Sequence, residues 1–251
     1  MLLAAGRGER MRPLTDSVPK PLLCVQGRPL LHWHLQALAR AGVAQVLVNT
    51  AWLGTQISGH FGDRFVLEAP AGSLGSAAAA AATPAVALAY SHEGQDFGAA
   101  LETAGGIARA LPRLAPVFWL AAGDVYAPDF PFDPAALHAF AAGDRLAHLW
   151  LVPNPPQHPL GDFGLSPEGL ALNLPAGDPA PRHTYSTLAL LRAELFAPPW
   201  CDLPTGNPEG LAAPLAPLLR RAMDAGRVSA EIHGGRWTDV GTPERLAALN
   251  G

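Results

Sequence analysis

The sequence predicts an α/β fold built on a mostly parallel sheet with helices on both faces. Three observations predict it. Short apolar or β-branched runs alternate with helix-length segments through the first half of the chain. Hydrophobic residues make up 49% of the 251, with a mean hydropathy of +0.15. Charged residues are only 15%, against roughly 25% in an average soluble domain. The apolar material is ample for a large core. No internal repeat and no linker interrupts the chain, so a single domain over 1–251 is expected.

Each element follows from local chemistry. Residues 2–5 are a short apolar run ended by glycines, a first strand. Residues 29–40 carry Leu30, Leu31, Trp33, Leu35 and Leu38 at helical spacing, with Pro29 suited to a first turn and Gly42 to a C-cap. A strand over 45–49 precedes a helix over 52–61. Residues 65–67, 86–90 and 117–121 read as strands, and 102–111 as a helix. Between two of those strands, 70–84 is dominated by Ala77–Ala82 and reads as a low-complexity surface insertion. In the proline-richer second half, 146–152 and 184–191 are strands and 161–174 a hairpin with glycine turns. A helix is expected over 211–225. Residues 228–232 and 236–239 flank Gly234-Gly235, a hairpin signal, and Thr242-Pro243 caps a last short helix.

Composition excludes several classes. The net charge is −4 with no basic block, the opposite of what phosphate neutralisation on a nucleic acid requires. Two cysteines, Cys24 and Cys201, cannot make a disulfide scaffold or a four-ligand metal site, and read as free thiols of a reduced compartment. No basic segment leads into a long apolar core, and no apolar run reaches 18 residues. A cytoplasmic protein without membrane or nucleic-acid partners is expected. The 17 basic residues include a single lysine, Lys20. A lysine that persists where arginine otherwise replaces it marks a place that needs a compact ammonium.

The chemistry gathers at strand ends. Gly6-Arg7-Gly8-Glu9-Arg10-Met11-Arg12 follows the first strand directly. Glycines there let backbone N–H groups turn inward as an anion nest, and ligands of open α/β sheets sit at strand carboxyl ends. The loop lacks the Gly-Lys-Ser/Thr of a Walker motif and the third glycine of the dinucleotide fingerprint. Its three arginines suit a polyphosphate. Lys20, between Pro19 and Pro21, is expected on a stiff extended segment as a charge clamp. Asp124 follows Gly123 at the end of a strand, well placed for a hard cation such as Mg²⁺. Asp239, in Trp237-Thr238-Asp239-Val240-Gly241-Thr242, has a similar setting. The histidines, His32 and His34 among them, show no ligand spacing and are assigned no role.

Four ordered motifs, 3–11, 19–22, 123–124 and 237–242, resemble the sugar-1-phosphate nucleotidylyltransferase family. The resemblance implies one Rossmann-like nucleotidyltransferase domain with a mixed central sheet. It implies that Ala4, Ala5, Gly6, Arg7 and Gly8 cradle nucleoside and phosphates. Arg10 would reach the triphosphate, Lys20 would contact the phosphates at the reacting centre, and Asp124 with Asp239 would hold Mg²⁺. Within the family the chain is similar to the N-acetylmuramate-1-phosphate uridylyltransferase branch, through Asn49-Thr50-Ala51-Trp52-Leu53-Gly54, Leu101 to Gly106, and Gly161-Asp162-Phe163. That likeness adds Glu102, Thr103 and Gly105 to the nucleotide side, and Gly161, Asp162 and Ser186 to the sugar side. The second lysine that many relatives carry in Glu-Lys-Pro is missing here, which fits this branch.

The resemblance also has departures. Ala104 replaces a glycine, as in mannose-1-phosphate guanylyltransferases, and Thr187 stands after Ser186 where a glycine is expected. Family members have several residues ahead of the first strand, which implies an upstream start or a short first strand. The expected reaction joins a nucleoside triphosphate, UTP, to a sugar-1-phosphate, N-acetylmuramate-1-phosphate, in a monomer or small homo-oligomer. A hexose-1-phosphate nucleotidylyltransferase such as a mannose-1-phosphate guanylyltransferase remains the alternative. A molybdopterin-type nucleotidylyltransferase matches the 237–242 motif poorly. A binding-only module would not need the lysine and both aspartates.

Overall fold

A computed structural model describes residues 1–67 and 83–251. The insertion expected at 70–84 lies outside the described residues apart from Thr83 and Pro84. The described strands are β1 (Leu2–Ala4), β2 (Cys24–Val25), β3 (Arg28–Pro29), β4 (Gln45–Thr50), β5 (Arg64–Val66), β6 (Ala85–His92) and β7 (Val117–Ala122). They continue with β8 (Val125–Tyr126), β9 (Ala147–Val152), β10 (Phe163–Leu165), β11 (Ala171–Leu172), β12 (Arg182–Arg192), β13 (Val228–Ile232) and β14 (Thr238–Asp239). The helices are α1 (Leu30–Arg40), α2 (Gly54–Phe61), α3 (Glu93–Phe97), α4 (Glu102–Ala110), α5 (Pro134–Ala142), α6 (Ala216–Asp224) and α7 (Pro243–Asn250).

The main sheet runs β11–β10–β12–β7–β1–β4–β6–β5, and β9 lies along β12 with β13 beyond it. Its centre, β7–β1–β4–β6, is parallel. Strand β12 is antiparallel to both β7 and β9, and β5 closes the far edge antiparallel to β6. This is the mixed α/β sheet that the sequence predicts. The strand period of two divides the core. Leu2, Val46, Val48, Trp119, Ala121, Trp150, Leu188 and Leu190 pack on the face covered by α1, α2 and α5. Leu47, Phe118, Leu120, Leu149, Leu151, Ala189 and Leu191 pack on the other, with Ile107 of α4 and Leu219 of α6. A third cluster, Met11, Leu23, Val25, Leu30, Tyr126 and Val240, ties the first loop to the C-terminal segment.

Three local expectations are corrected. Gly234-Gly235 does not make a hairpin: β13 is parallel to β9, and β14 pairs with β8. The Arg236 guanidinium holds both oxygens of Asp129 at 2.7 and 2.8 Å, which carries the chain toward β8 instead of back along β13. The helix expected over 211–225 begins only at Ala216. Residues 211–213 are committed to α4 instead, since Ala213 O accepts from Ala104 N and Gly105 N and Ala213 N donates to Leu101 O. Pro217 then takes the first turn, where a missing N–H costs nothing. Finally, Lys20 opens a single 3₁₀ turn over Lys20–Leu22, closed by Leu22 N to Pro19 O at 2.8 Å and Leu23 N to Lys20 O at 3.0 Å, and is not extended. Helices α3 and α5 were not expected, although Asp133-Pro134 is an ordinary start signal: the Asp133 carboxylate accepts from Ala135 N.

Candidate active site

The carboxyl ends of β1 and β7 converge where the loop chemistry was expected. Ala4 N–H at the end of β1 donates to Asn49 Oδ1 at 3.0 Å, and Asn49 Nδ2 donates to Glu93 Oε1 at 2.7 Å. The other Glu93 oxygen accepts Leu101 N–H at 2.9 Å, at the mouth of α4. A Cβ on Gly106 would lie 2.5 Å from Glu93 Oε1, so that glycine makes room for the carboxylate. One buried side chain thus joins β1, β4 and α4. Burial is the largest influence on Glu93 and raises its carboxyl above the ordinary value, while Leu101 N–H, the Asn49 amide and the Arg109 charge pull it down.

The first loop is held from below. Gly8 adopts φ +69, the left-handed region that glycine enters without strain, and its carbonyl accepts from Thr15 Oγ1 at 2.8 Å. A Cβ there would meet Thr15 and the Lys20 stem at 3.1 to 3.3 Å. Lys20 is therefore buried beneath the loop, 6% exposed, and delivers its ammonium to Asp124 Oδ2 at 2.6 Å. Gly123 allows the approach: a Cβ on it would lie 2.9 Å from Leu3 O. Arg7 stacks over the Trp52 ring at 4.0 Å, and Trp52 Nε1 donates to Thr15 O. Arg10 is exposed and has no ion pair among the described residues.

Two cavities open here. The first, about 500 Å³, is lined by Leu3, Ala4, Gly6, Gly8, Arg10, Met11, Lys20, Thr103, Asp124, Thr187 and Gly241, among others. The second, about 230 Å³, is lined by Arg10, Asp124, Pro155, Gln157, His158, Thr184, Tyr185, Thr187, Trp237 and Asp239, among others. Arg10, Asp124 and Thr187 belong to both. A further cavity of about 360 Å³ lies at the opposite strand ends, around Met1, Gln45 and Val117, and is lined mainly by apolar groups such as Leu38, Val46 and Phe118.

Most of the residues expected from sequence meet at these cavities. Asp124 and Asp239 sit on paired strand ends, with Asp239 opposite Val125 and Val240 N–H donating to Asp124 O at 3.1 Å. Arg245 Nη1 donates to Asp239 Oδ2 at 2.8 Å. Each carboxylate thus spends one oxygen on a cation and keeps Oδ1 without a described donor. Two such hard oxygen donors fit Mg²⁺, which binds through one or two carboxylates together with substrate phosphates. No group of three or more His, Cys, Asp or Glu side chains able to hold a metal occurs among the described residues.

Other expected residues sit elsewhere. Glu102 is exposed, with φ +56, and lines neither cavity. Gly105 packs on Leu211 O and Ala213 N. Ala5 is buried behind the loop. Ser186 is fully buried, donating to Trp150 O at 2.5 Å and accepting from Leu188 N. Asp162 accepts from Tyr185 N at 2.8 Å and holds His158 Nε2 at 3.0 Å. Gly161, at φ +64, lies against Asn154 and Arg182. None of these expected residues lines either cavity. Thr187 itself faces both cavities from a β-bulge of β12 with φ +64, a position where a β-branched residue is a genuine outlier. That is why a glycine is at home there. Glu93 and His158 carried no sequence signal beyond their residue type.

Residues 1–160 match the MobA-like NTP transferase domain. The chain belongs to that family of nucleotidyltransferases. Among its relatives, the N-acetylmuramate alpha-1-phosphate uridylyltransferase of Neisseria meningitidis is 44% identical, over 98% of this chain and 94% of that protein. The protein of the same name from Caulobacter vibrioides is 30% identical, over 99% and 94%. A solved structure, a putative glucose-1-phosphate thymidylyltransferase from Bacillus anthracis, shares the fold with a TM-score of 0.74 at 17% identity, covering 99% of this chain and 92% of that one. No described helix is long and apolar enough to cross a membrane.

Proposed function

We propose that the protein, as one nucleotidylyltransferase domain over 1–251, transfers uridylyl from UTP to N-acetylmuramate-1-phosphate, releasing pyrophosphate. The observation that carries this reading is the pair of cavities meeting at Arg10, Asp124 and Thr187, beside the Lys20 ammonium. One cavity has a glycine loop for a triphosphate, and the other has Trp237 and Tyr185 walls for a sugar. The 44% identity over nearly the whole chain supports the choice of base and sugar.

The mechanism follows from charge. A sugar phosphate is largely dianionic near neutral pH, because the second phosphomonoester pKa is about 6, so the attack needs no general base. Its oxygen forms a bond to the α-phosphorus, the bond from that phosphorus to the bridging oxygen breaks, and pyrophosphate leaves with the electron pair. Both reactants are anions, so the protein must offset repulsion. Lys20 and Arg10 do this at the cavity junction, and the loop N–H groups orient the phosphates. Asp124 and Asp239 would hold Mg²⁺, which when bound neutralises charge on the phosphates. The substrates and the reduced cysteines, both free, suit a cytoplasmic monomer or small homo-oligomer with no nucleic-acid or membrane partner. Pyrophosphate release measured for UTP, GTP and dTTP against muramyl, glucosyl and mannosyl phosphates tests the reading. The highest kcat/KM is expected for UTP with N-acetylmuramate-1-phosphate; a maximum at GTP with mannose-1-phosphate would transfer it to the guanylyl branch.

A further inference from the structure

N-acetylmuramate differs from its parent amino sugar by a lactyl ether that ends in a carboxylate. A site that selects it needs a cation or several donors at the sugar-side cavity. Arg182 and Arg220 are both committed elsewhere. Arg182 donates to Leu174 O and Pro175 O. Arg220 donates to Asn173 Oδ1 at 2.6 Å and lies over the Phe163 ring. Among the described residues, two basic side chains line the sugar-side cavity, Arg10 and His158. Arg10 also lines the triphosphate cavity, at the junction with Asp124. His158 lines the sugar side alone.

His158 is built into place. Asn154 pins its loop through Pro159 O and Arg182 O. Asp162 anchors it on β12 through Tyr185 N and accepts from the His158 ring Nε2 at 3.0 Å. The carboxylate can only accept from the neutral or charged ring, so Nε2 carries the proton and Nδ1 has no described partner. The ring is 43% exposed, so it presents that nitrogen at little steric cost.

We propose that His158, oriented by Asp162, is a specificity-determining residue that binds a carboxylate on the sugar of the acceptor phosphate. The inference rests on the substrate reading above. A second carboxylate at Nδ1 completes a carboxylate–imidazolium–carboxylate sandwich, in which each ring nitrogen donates one hydrogen bond.

The experiment measures kcat and KM with UTP and two acceptors, N-acetylmuramate-1-phosphate and N-acetylglucosamine-1-phosphate, which differ in the lactyl ether alone. Wild type, His158→Gln, His158→Arg and Asp162→Asn are compared, with thermal melts to confirm folding. The ratio of kcat/KM values, muramyl over glucosaminyl, should fall about tenfold to a hundredfold in His158→Gln, the range of a charge-assisted hydrogen bond. The fall should come through KM, and His158→Arg should restore a substantial part of it. Asp162→Asn should lower the ratio less. If wild type prefers the muramyl acceptor and His158→Gln keeps the full ratio, the inference is overturned and the substrate reading stands. If wild type shows no preference for the muramyl acceptor, both fall together.

Discussion

Replacing Lys20 separates its chemical from its structural contribution. The stem is packed beneath Gly8 and Thr15, and the ammonium meets Asp124 at 2.6 Å, with the aspartate side chain 41% exposed. An ion pair with one partner this wet contributes at most about 1 kcal/mol to folding. Lys20→Met keeps the length and apolar volume of the stem, a swap that costs under about 1.5 kcal/mol. Its melting temperature should therefore move by only a few degrees. Turnover should fall by about a hundredfold to a thousandfold, or about 2.7–4 kcal/mol, the loss seen when one donor to transition-state charge is removed. Lys20→Arg restores charge but forces a planar fork under the loop, where overpacking costs about 1–3 kcal/mol, and should lose most turnover too. The assay is steady-state pyrophosphate release at saturating UTP, beside thermal melts of all three proteins. Retention of more than about half of wild-type kcat by either variant would refute the reasoning, and so would a Lys20→Met protein that simply fails to fold.

Asp124→Asn and Asp239→Asn should each lose about a hundredfold or more of turnover, and chelator should abolish pyrophosphate release; an undiminished rate in chelator removes the metal from the mechanism. Glu93 should make stability depend on pH in a definite direction. Burial holds its folded carboxyl above the usual 4.5, so the native state keeps the proton longer than the unfolded chain does. Its contribution is fullest below 4.5 and declines as pH rises toward the folded value. Glu93→Gln sets an amide N–H₂ against one of two N–H donors, a cost of about 1–3 kcal/mol, and removes the titration. In urea melts from about pH 4 to 8, the advantage of wild type over the variant should shrink as pH rises; a constant gap would contradict the burial argument. Thr187→Gly relieves about 1–2 kcal/mol of left-handed strain and adds about 0.5–1 kcal/mol of unfolded-state entropy. Its melting temperature should not drop, and a clear loss of stability would show that Thr187 is not strained.

What could be read from the sequence was what depends on neighbours along the chain. The hydrophobic period located β4, β7, β9 and α1 to within one residue, because a strand or helix declares its buried face locally. The Gly6–Arg12 loop, Lys20, Asp124 and Asp239 were legible because unusual residue types sit at strand ends. What failed depends on contacts across the chain. Arg236 on Asp129 redirects the segment in which Gly234-Gly235 signals a hairpin. The carbonyl of Ala213, held by α4, shortens the helix expected from 211. Glu93 reads as one surface acid among 21 Asp and Glu residues, and it is the Asn49 amide and Gly106, in distant segments, that make it an interior strut. Asp162, expected on the sugar side, spends its carboxylate on Tyr185 N and His158. A side chain's partner, unlike its face, is not encoded in spacing.

The pairing of charges at the cavities bears on the order of events. Lys20 neutralises Asp124, Arg245 neutralises Asp239, and Arg7 lies 3.7 Å from Glu9 and against Trp52. Among the described residues, Arg10 is the cation facing both cavities that has no ion pair. A triphosphate and a sugar phosphate together bring far more negative charge than one guanidinium offsets. The two aspartates, already paired, have little field left for a divalent cation, so the protein without nucleotide should bind Mg²⁺ weakly. On the proposed reading, the phosphates would supply further oxygen ligands and would compete with Asp124 for the Lys20 ammonium, freeing a carboxylate oxygen. Metal affinity and nucleotide affinity would then be coupled, each expected to raise the other by the same factor. A single compact ammonium that can exchange a carboxylate for a phosphate without moving its buried stem is what this coupling requires, and a chain that uses arginine at 16 of its 17 basic positions keeps its one lysine there.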